Sequence, residues 1–350
     1  MRYRMRSLTT IGAIFSIIAG VTLLSSLPLA AQHESSAKTS RPPKTSWGQP
    51  DLQGVWDFST STPLQRPPEL KDKAELTDAE VAEQLQRALN QRARQDNSQS
   101  RAGDTGTYNR FWTDDPRVSR QTSLIIDPPD GRVPPYTPVA QKWYAELAAA
   151  RKGVEMDAPT PGGFIEDLGP RGLFVRCIVG FNAGPPINPS SYNQNVQIFQ
   201  ARDHVALLHE MVHNTRVVWL DGRPHMSQSI AQYNGDSRGR WEGETLVVET
   251  TNFGKDVYDP AMTASGMRPN LNGTFKLTER FTRTAADTLV YQFTISDPSW
   301  YTAPFTAKIP MTKNPQPLYE FACHEANHSM RGILEGARHR EAEATKQSSK

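Results

Sequence analysis

Leu289-Val290-Tyr291-Gln292-Phe293-Thr294-Ile295 alternates strictly: Leu289, Tyr291, Phe293 and Ile295 share one face, and Gln292 and Thr294 take the other. A two-residue period is that of a half-buried β-strand, because successive side chains leave the backbone on opposite sides. The same texture extends both ways along the chain. Phe275, Leu277 and Phe281 are in phase, as are Phe305, Ala307 and Ile309, and Tyr319, Phe321 and Cys323. Upstream lie the pairs Leu246/Val248, Val217/Trp219 and Val196/Ile198, and the set Val175, Cys177 and Val179. Turn signals separate the runs: D-G at 221–222, G-D-S-R-G at 235–239, N-G at 272–273 and D-P at 297–298. Short strands at regular spacing predict a mainly β fold, an antiparallel barrel or sandwich over 172–338.

The preceding region, 47–171, reads as one strand plus helices. Trp47 to Phe58 is aromatic and turn-rich, like the entry to a first strand. Thr77 and Glu80 form a capping box, with Leu76 and Val81 at the staple positions, so a helix starts there. Its stripe of Val81, Leu85 and Ala88 is thin, which predicts a surface helix. Leu124–Asp127 reads as a strand ended by the turn P-P-D-G at 128–131. Thr137 as cap and Pro138 at the first helical position signal a second helix to near Arg151. Residues 95–107 and 159–163 read as loops, and 330–350 as a solvated helix or tail, with 339–350 the charged end.

The N-terminus is tripartite. Arg2, Arg4 and Arg6 precede an apolar run from Ile11 to Leu24, then Pro28, Ala30 and Ala31. That order predicts a signal peptide over 1–31 and a flexible leader over 32–46, hence a periplasmic or secreted protein. The apolar run is shorter than the ~20 residues that span a bilayer, so no membrane span is expected after cleavage. Cleavage after Ala31 removes three arginines and no acid, taking the formal charge from +2 to −1. Such a balance excludes nucleic acid as a partner. The 37% hydrophobic content supports a real core, and 27 prolines with 23 glycines argue against a helical bundle. Cys177 and Cys323 are the only cysteines, so at most one disulfide forms, and a four-cysteine zinc site is excluded. Both lie on the apolar phase of their runs, which predicts that they pair with each other.

Four strings carry a resemblance: P-D-L-Q-G-V-W (50–56), L-D-G-R-P-H (220–225), G-D-S-R-G-R-W-E-G-E-T-L-V-V-E-T-T-N-F (235–253) and A-C-H-E-A-N-H-S-M (322–330). Together they resemble a large family of secreted bacterial proteins for which no activity is established. The resemblance covers most of 47–338 and implies no reaction. Where that family reads Gly-Asn-Tyr, this chain has Ala326, Asn327 and His328. The early G-x-W and the meander are also loosely similar to a lipocalin-type barrel.

Several clusters are candidates for chemistry. His209-Glu210-Met211-Val212-His213 is a formal H-E-x-x-H, which on a helix would bind zinc through both imidazoles, with the glutamate activating water. Against this, the third ligand of the extended motif is missing, Arg216 stands at its glycine position, and the strand-like V-V-W-L follows. A strand is therefore expected here, which would hold the two imidazoles about 13 Å apart. Arg223 and His225 project from the D-G-R-P-H turn, as an anion or general-acid site or as turn structure alone. Asp236, Arg238, Arg240, Trp241 and Glu242 read either as a salt-bridged turn or as an arginine clamp with a stacking platform. Glu279 falls in phase with Phe275, Leu277 and Phe281. An acid on an apolar face must be paired, for instance with Arg240, or sit in a cavity where it suits acid–base work. His324, Glu325, Asn327 and His328 crowd a strand end, as a metal or sugar site or as the cap of a following helix, with Asn327 the natural N-cap.

The function expected is a small-molecule site at the mouth of a β-barrel. Glu279, His225 and His324 would supply acid–base catalysis there, with ligand contacts from Arg223, Asp236, Arg240, Trp241, Glu242, Glu325 and Asn327. The alternatives are a zinc-dependent hydrolase built on His209, Glu210 and His213, with zinc as its cofactor, and a non-catalytic envelope or partner-binding protein.

Overall fold

The 289–295 stretch forms the centre of β11 (Thr288–Ser296), between β10 (Lys276–Arg283) and β12 (Phe305–Asn314). Tyr291 stands opposite Phe281 on one side and Ile309 on the other, so three apolar phases coincide on one buried face. A two-residue period fixes this register, since a one-residue slip would turn every apolar side chain outward. A computed structural model describes residues 42–96, 115–150, 152, 176–190, 192–261, 267–323, 325 and 328–348. Residues 1–41 lie outside the described residues, and with them the expected signal peptide.

The other strands are β1 (Gly54–Asp57), β2 (Ile125–Asp127), β3 (Asn195–Gln200), β4 (His204–His209), β5 (Thr215–Trp219), β6 (Asp236–Glu242), β7 (Thr245–Thr251), β8 (Asp256–Tyr258) and β9 (Met267–Pro269). Among the described residues, nine strands close a barrel in the order β1-β3-β4-β5-β6-β7-β10-β11-β12, and β1 pairs back onto β12. The expected barrel is thus present. Its ladders are antiparallel with one exception, the parallel contact of β5 with β6. β2 adds to β12 outside the ring, and β8 and β9 form a separate ribbon. The barrel draws on both sides of the expected boundary at 171/172, because β1 and β2 precede it. Trp56, Val205, Val218, Leu246, Phe281, Tyr291 and Ile309 meet in one fully buried core.

Among the described residues the α-helices are α1 (Asp78–Asp96), α2 (Pro138–Ala150) and α3 (His328–Ser348). The Thr77 capping box is made as expected, with Thr77 N–H donating to Glu80 Oε2 at 2.8 Å. That bonding and Lys73 hold the Glu80 carboxyl down at about 2. Thr137 caps α2 and ties it to the barrel by donating to the Ser299 carbonyl at 2.8 Å. None of the helices among the described residues is long and apolar enough to cross a membrane.

Three local expectations are corrected. The 235–239 string is not a turn: Asp236 to Glu242 is β6, and the reversal falls at Gly243, with a φ of 60°. Charge pairing along β6 offsets the low strand propensity of its residues, and Gly239 admits β5, since a Cβ there would lie 2.6 Å from Leu220 Cδ2. The run around Cys177 is not a strand either. Val175 lies outside the described residues, and Cys177 has a φ of 57°, which an extended ladder cannot hold. Nor do residues 319–323 form a strand: Pro315 and Pro317 interrupt the donors, and Tyr319 is exposed. The two cysteines nevertheless pair, with Cα atoms 5.9 Å apart. The bridge joins the turn before β3 to the segment after β12, rather than two strands.

Candidate functional site

Arg216 and Val218 of β5 point into the barrel, while Thr215 and Val217 point out. That places a guanidinium among apolar side chains, and β10 answers it with Glu279, whose side chain is fully buried. Arg216 Nη2 lies 2.8 Å from Glu279 Oε1, and Nη1 bonds the other carboxylate oxygen. Tyr291 Oη donates to Glu279 Oε1 at 2.8 Å and accepts the Ile187 N–H at 3.1 Å. Ser237 and Thr250 accept from Arg216 Nη1 at 3.3 Å each. Burial alone would lower the Arg216 pKa, but the facing carboxylate outweighs it and raises the value. Burial, reinforced by Glu279, pushes the Tyr291 hydroxyl far above its ordinary value. Glu279 therefore pairs with an inward arginine, and the partner is Arg216 rather than Arg240.

His209 also faces inward, at the end of β4, and both its ring nitrogens are buried without a hydrogen-bond partner among the described residues. Burial first, and the charge of Arg216 second, depress its pKa to about 3, so the imidazole is neutral. Glu210 and His213 take other directions. Glu210 Oε2 accepts from Asn195 Nδ2 at 2.8 Å, and His213 Nδ1 accepts the Phe321 N–H at 3.1 Å. The expected strand is present only to His209, and the rest of the H-E-x-x-H string is the 3₁₀ turn Met211–His213. It is not the helix that a zincin needs. No three His, Cys, Asp or Glu side chains among the described residues are placed to hold a metal ion.

Outside this interior lies a cleft of about 940 Å³ along the β5–β6 seam. Thr215, Val217 and Trp219 form one wall, and Asn234 to Arg238 the other. Arg223 and Met226, from the connection between the two strands, also line it. Val217 and Tyr233 are 40% and 51% exposed, which gives it an apolar surface open to solvent. Arg216 lines it too, linking the cleft to the buried Glu279 pair.

The connection is held by Asp236. Its Oδ2 lies 3.0 Å from His225 Nδ1 and accepts the Met226 N–H at 2.9 Å, and its Oδ1 lies 3.0 Å from Arg238 Nη2. His225 Nε2 faces Glu249 Oε1 at 3.5 Å, in a smaller cleft of about 230 Å³ that shares Trp219, Arg223 and Arg238 with the larger one. An aspartate on Nδ1 orients an imidazole for proton transfer at Nε2. Arg223 is ion-paired with Asp221, and its guanidinium sits 4.8 Å above the Trp219 ring.

The structure therefore gathers Arg223, His225 and Asp236 at one place. Glu279 lies inside the barrel, paired with Arg216. Arg240 lines the smaller cleft beside Arg223 and His225 while it pairs with Glu242, which also meets Arg280. Trp241 packs partly buried against the core rather than offering a platform. Glu325 is exposed, and His324 and Asn327 lie outside the described residues. Sequence reasoning missed Arg216 and Tyr291 as members of the site. The alternation of Arg216 with Val218 carried the signal, since an arginine in an apolar phase demands a buried acid. Neither a protein-family model nor a curated protein matches this chain.

Proposed function

We propose that this chain is a β-barrel protein that binds a small molecule in the cleft along the β5–β6 seam. The ligand would combine an apolar body with a carboxylate or similar anion. One observation carries the reading: the cleft sets exposed Val217 and Tyr233 and the ring of Trp219 beside the solvent-facing guanidinium of Arg223. Aromatic walls supply contact area, and guanidinium forks supply planar recognition of an anion. The acid–base capacity belongs to His225, oriented by Asp236 at the edge of the adjoining cleft. Glu279 serves by fixing Arg216 and is not itself a proton donor to ligand.

A periplasmic or secreted location agrees with the basic, apolar and small-residue order of residues 1–31 and with the Cys177–Cys323 bridge. Mass spectrometry of the protein from its native host should find a chain beginning near Gln32, and an intact Met1 would count against export.

The site is tested by titrating a panel of aryl and alkyl carboxylates by calorimetry. Binders should weaken by about tenfold or more in Arg223→Gln and in Tyr233→Ala, because each removes one recognition element worth about 1.4 kcal/mol or more. Both positions are on the surface, so the melting temperature should not move. Binders that are indifferent to both substitutions would place the ligand elsewhere.

A further inference from the structure

The β5–β6 seam is incomplete in its main chain. The two strands share one register pair, Trp219↔Arg238, although β5 has five residues and β6 seven. On its other side β5 is paired throughout, from Thr215↔Leu208 to Trp219↔His204. The bonds that bracket this ladder set the parity. His209 N–H donates to the Asn214 carbonyl at 2.9 Å, and Leu220 N–H to the Asp203 carbonyl at 2.7 Å. Residues 214, 216, 218 and 220 therefore aim their main-chain groups at β4, and Thr215, Val217 and Trp219 aim theirs at β6. Trp219 meets β6 through the register pair. Thr215 and Val217 have no strand partner on that side among the described residues, and both line the cleft.

Across the far end of the gap, Asn234 Nδ2 donates to Asn214 Oδ1 at 2.7 Å. The edge thus presents N–H and C=O pairs repeating every second residue, about 7 Å apart, which is the repeat of an extended peptide. Arg216 and Arg238 are matched by Glu279 and Asp236, so the cation of the cleft that faces solvent is Arg223, and the favoured occupant is acidic. Arg223 holds Asp221 in an exposed pair, a partnership of small worth that a ligand carboxylate can replace.

We propose that this edge is a β-augmentation site for a short acidic peptide, an inference that rests on the seam cleft being the binding site. The peptide lies extended along β5 and exchanges N–H···O bonds with Thr215 and Val217. An apolar side chain packs on Val217 and Tyr233, and a carboxylate meets Arg223. Main-chain pairing supplies affinity, and the alternate side chains supply selectivity.

The experiment titrates the full chain with a library of capped hexapeptides carrying Glu at one fixed end, then with the best binder N-methylated at alternate residues. The expected result is binding that falls at least tenfold in one N-methylation phase and not in the other. Val217→Pro should produce a loss of the same size, because the N–H it removes faces the cleft and not β4. Should that variant fail to fold, the N-methyl series alone decides. Equal binding of both N-methyl phases would overturn the main-chain pairing. Binding of carboxylates at the Arg223- and Tyr233-dependent site, with no peptide bound, would overturn the peptide and leave the site. Absence of both kinds of binder would overturn the site with it.

Discussion

His209 offers a direct test of the barrel interior. Its imidazole is 2% exposed, neither nitrogen has a partner among the described residues, and the neighbouring guanidinium is positive. The folded pKa is about 3, against 6.5 in an unfolded chain. Between these values the unfolded chain binds a proton that the folded chain refuses, so stability falls as pH drops from 6.5 towards 3. Each pKa unit corresponds to about 1.36 kcal/mol, so this one residue costs about 2 kcal/mol at pH 5 and approaches about 5 kcal/mol near pH 3.

His209→Leu removes the titration and also two unsatisfied buried nitrogens, so at pH 7 it should be neutral or stabilising. The assay is urea unfolding of both proteins, with the disulfide intact, at pH 7, 6, 5 and 4. Subtracting the two stability curves cancels the carboxylates and exposed histidines common to both. The leucine variant should gain about 2 kcal/mol on wild type between pH 7 and pH 5. A difference constant to about 0.5 kcal/mol over that range would refute the reasoning, and would mean that His209 has a partner or solvent access in the folded protein.

Three further outcomes follow from the same packing. Glu279→Gln keeps the shape but leaves Arg216 charged and uncompensated, and should cost about 3–5 kcal/mol in urea unfolding. The double change Arg216→Met with Glu279→Leu should cost much less than the two single changes added together, and simple additivity would deny their coupling. Cys177→Ser with Cys323→Ser should lower stability by at most about 5 kcal/mol, since the bridge spans 146 residues. Unchanged thermal unfolding with and without reductant would mean that the bridge constrains little. Gly239→Val drives a side chain into Val218 and Leu220 at the seam. It should cost about 1–3 kcal/mol and alter ligand binding at the cleft, whereas a variant of unchanged stability would show that β5 and β6 are not held together there.

The barrel was legible because alternation is a local signal. β10, β11 and β12 each turn one face to the core, so their two-residue period is complete within the strand. β6 was not legible, because its identity comes from neighbours. Its charged residues look like a turn until Asp236 finds His225 and Arg238, and Gly239 finds the β5 side chains. The runs at 175–179 and 319–323 failed for the opposite reason: alternation was present, but a left-handed residue in one and flanking prolines in the other denied them a ladder. In the site, Glu279 stood out as an acid in an apolar phase. Its partner was obscured because Arg216 was read within the H-E-x-x-H string, as the wrong residue at a glycine position.

Topology explains why the polar groups gather at this seam and not at another ladder. An antiparallel neighbour is reached by a tight reversal, as β6 reaches β7 through Gly243 and Glu244. A parallel neighbour is reached only by carrying the chain back along the full length of the strand. Residues 220–235 make that return between β5 and β6 without a helix or strand of their own. Their main chain must therefore be satisfied by side chains, and this is what Asp236 does for Met226, and Asn252 for the carbonyls of Met226 and Ser227. The return also brings Arg223, His225 and Tyr233 to a stretch of the barrel wall where Thr215 and Val217 have no strand partner among the described residues. Loop-borne side chains over a rigid, incompletely paired wall are what a binding site requires, and the parallel step supplies both at once.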